Sequence, residues 1–171
     1  MISYRSLRST IGRYLINLPG WRTDRKLVVF ESDDWGSIRI PSKGVYDKLR
    51  TKVGKMENNP FNRFDCLETE NDLSDLFEHL KKHTDKNGNH PIITANFVVA
   101  NPDFDKIRNL NYEMYYYELI SETYKRNKNS YKSFELIKEG IKEGLFNPQY
   151  HGREHLNVEQ WMYLLQQVDK D

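Results

Sequence analysis

The chain has 171 residues, enough for one domain with a real core; 37% are hydrophobic and 30% charged. Net charge is +1 with no long basic block, so no nucleic-acid footprint is present. No segment reaches the ~20 apolar residues of a membrane-spanning helix, and the single cysteine, Cys66, leaves no intramolecular disulfide and fits a reducing compartment.

Tyr4, Leu7, Ile11, Tyr14 and Leu15 recur at helical spacing, so residues 1–24 read as a short amphipathic arm whose helix is closed by Leu18, Pro19 and Gly20. Arg5, Arg8 and Arg13 interrupt it, with no apolar run or cleavage pattern of a signal peptide. The arm is expected to dock on the domain rather than lie on a membrane surface, and the protein is expected to be cytoplasmic.

Residues 25–171 read as one domain of the α/β class. Leu27, Val28, Val29 and Phe30 predict a buried strand over 27–32 that ends in two adjacent carboxylates, Asp33 and Asp34, then Trp35 and Gly36. Carboxylates are costly to bury unless paired or bound to metal, and α/β folds place their sites past the carboxyl ends of parallel strands. One acid is therefore expected to hold a cation and the other to handle a proton. Residues 36–64, with Pro41, Pro60, Asn58 and Asn59, predict a long loop with one helical turn near 45–49. Trp35 and Arg39 either line a sugar pocket there or pack against the barrel rim.

Thr69 to Asp72 resembles a capping box, followed by the apolar stripe Leu73, Leu76, Phe77 and Leu80 and a stop at Asn87-Gly88. His79 and His83 on that helix have metal-ligand spacing, but lysines lie between them and no acid accompanies them, so they read as a solvated face. Residues 92–99 predict a second buried strand, making a βαβ unit with a parallel sheet. The tyrosine-rich segment 103–133 reads as an amphipathic helix or hairpin packed on the barrel, ahead of the alternative of a carbohydrate-stacking surface. A helix over 134–144, with Phe134, Ile137 and Ile141 on one face and Gly144 as its cap, leads to a third strand over 145–150.

That strand runs into His151-Gly152-Arg153-Glu154-His155. Two imidazoles at i and i+4 reach one metal, and an added carboxylate completes a three-ligand open site. Asn157 with Gln160 reads as another capping box, so the next helix, with Trp161, Leu164, Leu165 and Val168 as its apolar face, starts after the histidines. The rival His-x-x-Glu-His metallopeptidase pattern needs its motif inside a helix and a further acid downstream, with Glu154 as base. It ranks second.

Together the two constellations resemble the polysaccharide deacetylase family, the NodB-homology carbohydrate esterases. The family's Thr-Phe-Asp-Asp-Gly motif is matched by Glu31-Ser32-Asp33-Asp34-Trp35-Gly36, and its His-Ser/Thr-x-x-His motif by His151 to His155; Ile93 to Val99 is similar to its second strand. The resemblance implies a (β/α) barrel, Asp33 as general base, and Asp34, His151 and His155 as ligands of a divalent metal, usually zinc. The implied reaction is removal of N- or O-linked acetyl groups from a polysaccharide or sugar. Trp35, Arg39, Arg153 and Glu154 are candidate substrate contacts. Three departures stand out. Gly152 replaces the Ser/Thr that braces the histidine loop, leaving that to Glu154 or Arg153; Trp35 separates the acids from the glycine; and the two motifs lie far apart, which the insertion at 103–133 accounts for. A full barrel needs roughly 200 residues or more, and only three strands are expected here. The later motifs, for the oxyanion contact and the general-acid histidine, find no counterpart. A partial or distorted barrel is therefore expected, the N-terminal portion of such a domain, with an exposed sheet edge that favours a homo-oligomer. From another class, the alternative is a non-catalytic carbohydrate-binding or assembly module that retains the metal site.

Overall fold

The computed structural model describes residues 4–52 and 59–168. It is mixed α/β: three parallel strands, β1 (Phe30–Trp35), β2 (Ile93–Phe97) and β5 (Phe146–Tyr150), form a sheet in the order β1-β2-β5. A two-stranded antiparallel ladder joins β3 (Ala100–Pro102) to β4 (Tyr117–Leu119). The helices are α1 (Tyr4–Asn17), α2 (Lys43–Lys52), α3 (Pro60–Arg63), α4 (Glu70–Lys81), α5 (Phe104–Asn109), α6 (Ile120–Arg126), α7 (Ser133–Lys142) and α8 (Val158–Val168). None is long and apolar enough to cross a membrane.

Two successive βαβ crossovers build the sheet, the arrangement expected when strands and amphipathic helices alternate. α4 starts on a complete capping box: the Thr69 hydroxyl accepts from the Asp72 amide, and the Asp72 carboxylate accepts from the Thr69 amide. Its stripe of Leu73, Phe77 and Leu80 meets Ile137 of α7 and Ala95, Phe97 and Phe146 of the sheet in one core. Phe77 and Phe146 meet edge to face at 5.1 Å. α7 closes where Gly144 takes φ +72°, a conformation open to glycine at little cost.

Several expectations are corrected. The apolar run before the acids is not buried: Val28 and Val29 are 78% and 75% exposed. β1 is an outer strand and its pairing begins only at Phe30, opposite Ile93, so the residues before it have no neighbour to pack on. β5 is likewise exposed after Phe146. α4 stops at Lys81, and Asn87-Gly88 forms a separate turn held by the Asp85 carboxylate. Helix α2 is longer than the single turn expected; positions 53–58 of that loop lie outside the described residues. Ile11, Tyr14 and Leu15 of α1 remain exposed, so these apolar residues of the arm are not covered. In α8 it is Met162 that is buried, while Leu164 is 54% exposed. The segment 103–133 forms α5, β4 and α6, with β4 laddered onto the chain leaving β2.

Candidate metal centre

The two distant motifs meet at the carboxyl ends of β1 and β5. Ser32 pairs with Ala95 and Trp35 with Phe97, so Asp33 and Asp34 together oppose the single residue Asn96, a β-bulge. Asp34 carries φ +65°, a left-handed conformation that aspartate tolerates better than most side chains but that still costs of order 1 kcal/mol. The bulge aims the two neighbouring carboxylates to different partners.

Asp34 Oδ1 lies 2.9 Å from His155 Nδ1 and 3.5 Å from His151 Nε2. The two imidazole centroids are 4.5 Å apart. One atom from each residue falls within 4.8 Å of the others, the geometry of a three-ligand cation site. Two of these atoms, Asp34 Oδ1 and His151 Nε2, are buried without a well-directed hydrogen bond. Buried polar atoms normally find partners, and a cation between them would supply one. Two imidazoles and a carboxylate suit a borderline divalent ion such as zinc. The residues present therefore fit a metal.

The ligands are set by the sheet ends. The His151 amide donates to Phe97 O (2.8 Å), which carries the β5 ladder one residue further. Gly152 then turns the chain at φ +111°, and the Ala100 amide donates to Arg153 O at 2.8 Å. His-x-x-Glu-His thus occupies the loop between β5 and α8, outside a helix. Gln160 N donates to Asn157 Oδ1 at 3.1 Å to start α8. The Glu154 side chain is 7% exposed and forked onto Arg153, not free to act as a peptidase base.

Asp33 stands beside the triad rather than in it. Asn96 Nδ2, on the neighbouring strand, donates to Asp33 Oδ1 (2.5 Å) and to Glu31 Oε1 (2.9 Å). Arg39 Nη2 pairs with Asp34 Oδ2 at 2.5 Å. The Arg39 and Ile40 amides both donate to Asp65 Oδ2, at 2.9 and 2.7 Å. Burial pushes the Asp65 carboxyl up despite these two donors. Asn101, fully buried, accepts from the Ile38 amide and donates to Gly36 O, fixing the chain as it leaves β1. Beside the ligands, Ser37, Arg39, Asn101, Phe104, His155 and Trp161 line a cleft of about 130 Å³.

The structure brings Asp34, His151 and His155 together, places Asp33 next to them and puts Arg39 on a ligand. Trp35 takes the packing alternative, its ring 5.0 Å from Phe146 and 6.0 Å from Phe97. Arg153 and Glu154 pair with each other. His79 is exposed on α4 and His83 just beyond its end, their ring centroids 5.0 Å apart. Three residues went unremarked in the sequence: Asn96, Asp65 and Asn101. A signal existed for Asn96, the one amide side chain in the strand Ile93–Phe97.

The chain matches no protein-family model, no curated protein and no solved structure.

Proposed function

We propose that the chain is a metal-dependent hydrolase that removes N- or O-linked acetyl groups from a polysaccharide or sugar. The observation that carries this reading is the convergence of Asp34, His151 and His155, with two of their atoms buried without a well-directed hydrogen bond, beside an independently tethered carboxylate. A bound divalent ion, zinc by its donor set, would polarise an acyl carbonyl and make water more acidic.

The chain's own residues do the rest. Asp34, His151 and His155 hold the ion. Asp33, outside the triad and exposed on one side, accepts the proton of the attacking water. Asn96 donates to Asp33 Oδ1 and so leaves the other carboxylate oxygen for that proton. The separation of roles is the useful feature, because an acid already bound to the ion is a weak base.

The test has two arms. About one zinc per chain, lost in Asp34→Ala, establishes the ion; acetate release from N- or O-acetylated oligosaccharides, lost in Asp33→Asn with zinc retained, establishes the chemistry. No zinc after addition of excess metal overturns the metal site. Zinc without acetate release from either class of sugar leaves a carbohydrate-binding or assembly module.

A further inference from the structure

The loop that carries two of the three ligands is short, turns on a glycine, and has to hold two imidazoles at a fixed separation. Backbone bonds from Val99 and Ala100 fix one side of it. The other side is fixed by side chains that contact no ligand atom. Arg153, midway between His151 and His155, forks onto Glu154 through Nε (2.5 Å) and Nη2 (2.8 Å). The same guanidinium lies 5.3 Å from the ring centroid of Tyr115 and 5.0 Å from that of Tyr117. The Glu154 side chain is nearly fully buried, so its charge has left water and is held by this cation and by the neighbouring Tyr115 hydroxyl. Tyr115 in turn meets Trp161 of α8 at 6.3 Å, and Trp161 meets Phe104 of α5 at 6.1 Å. Gln166 of α8 donates to Tyr112 O at 2.8 Å.

Apart from the Arg153–Glu154 fork itself, each of these side-chain contacts runs between the 103–133 segment and the histidine loop or the helix that follows it. Planar guanidinium against two rings, with both fork arms engaged, leaves Arg153 little rotational freedom. We propose that Tyr115 and Tyr117 are positioning residues for the metal centre: they clamp Arg153 and Glu154 and so set the spacing of His151 and His155. Arg153 and Glu154 are then part of the scaffold rather than contacts for substrate. The inference rests on the metal-site reading above.

The test uses the full chain and two metals. Zinc affinity is read by competition with a chromophoric chelator, and cobalt(II) absorption reports ligand number and geometry. Replacing both rings (Tyr115→Leu with Tyr117→Leu) is expected to weaken zinc about tenfold, as loss of outer partners does, and to change the cobalt spectrum. The pair Tyr115→Phe with Tyr117→Phe keeps the ring faces while losing the Tyr115 hydroxyl beside Glu154, and is expected to recover most of the zinc affinity and of the cobalt spectrum. Arg153→Lys keeps the charge but loses fork and stacking, and is expected to weaken zinc to the same degree; it decides the matter if the leucine pair does not fold. A folded leucine pair, or Arg153→Lys, with wild-type zinc affinity and cobalt spectrum overturns the clamp. So does a phenylalanine pair as impaired as the leucine pair. Failure of the wild type itself to bind either ion overturns the metal reading, and the clamp with it.

Discussion

Arg39 and Asp34 divide one carboxylate between two tasks: Arg39 Nη2 sits 2.5 Å from Asp34 Oδ2, while Asp34 Oδ1 faces the two histidines. The pair is partly exposed, so solvent screens much of its Coulomb energy, and orientation is its main contribution. Asp65 fixes the backbone from which Arg39 reaches. Arg39→Ala is expected to weaken zinc binding about 10-fold, within the range for lost outer partners of a ligand. Arg39→Lys should recover only part of that, because an ammonium lacks the planar fork. Chelator competition reads both. Unchanged affinity in Arg39→Ala would mean that the bulged backbone aims Asp34 unaided.

Asn96 separates metal binding from proton handling. Its amide holds Asp33 and Glu31, and neither belongs to the triad. Asn96→Ala should therefore leave zinc affinity within about threefold while kcat for acetate release falls roughly 100-fold, the scale expected when a reacting group is displaced by about 1 Å. Steady-state rates at saturating zinc, beside a zinc titration, make the comparison. A parallel loss of zinc would place Asn96 with the ligands and sink the separation.

What was legible in the sequence followed from local rules. The stripe Leu73, Phe77, Leu80 and the Thr69–Asp72 box are properties of one helix read alone, and alternation of strands with helices implied parallel pairing. The triad was legible because acids and histidines each follow a strand-like run. What escaped depends on neighbours. Val28 and Val29 look like a core strand, yet their exposure follows from β1 standing at the sheet's edge. Trp35 beside two acids suits a pocket lining or packing equally, and the bulged strand decides for packing onto Phe97 and Phe146. Asn96 and Asp65 act across 63 and 26 residues of chain, contacts that no spacing rule announces.

At Gly140, α7 packs directly against the Phe77 ring of α4. A Cβ built there would lie 2.4 Å from Phe77 Cζ, a ring itself fixed edge to face on Phe146. In an exposed helix Gly→Ala stabilises by about 1 kcal/mol; here overpacking, typically 1–3 kcal/mol, outweighs it. Gly140→Ala is expected to lower stability by about 1 kcal/mol net. Combined with Phe77→Leu, the same substitution should become neutral or stabilising. Urea unfolding of the four variants of this cycle gives the coupling directly, and an unaltered penalty in the Phe77→Leu background would locate the clash elsewhere.

Glu68 and Tyr124 form a buried polar contact that responds to pH. The Tyr124 hydroxyl donates to Glu68 Oε1 in a short hydrogen bond, and Tyr124 is fully buried. Burial raises the Glu68 carboxyl above its ordinary 4.5, and the tyrosine bond offsets this only in part. Burial, then the Glu68 charge, pushes the Tyr124 phenol up as well. Between pH 4.5 and its raised folded value, Glu68 binds more protons folded than unfolded. Its contribution to stability is therefore complete below pH 4.5 and is lost as pH rises through the folded value. Asp72, lowered by its hydrogen bonds to Thr69, works in the opposite sense, so the total profile mixes both. The informative quantity is the difference between wild type and Glu68→Gln, which keeps the shape but cannot ionise. The variant should gain on the wild type steadily as pH rises from 4.5 and level off above the folded value. Urea midpoints taken across that range measure it, and a difference independent of pH would mean that Glu68 titrates as it does in the unfolded chain.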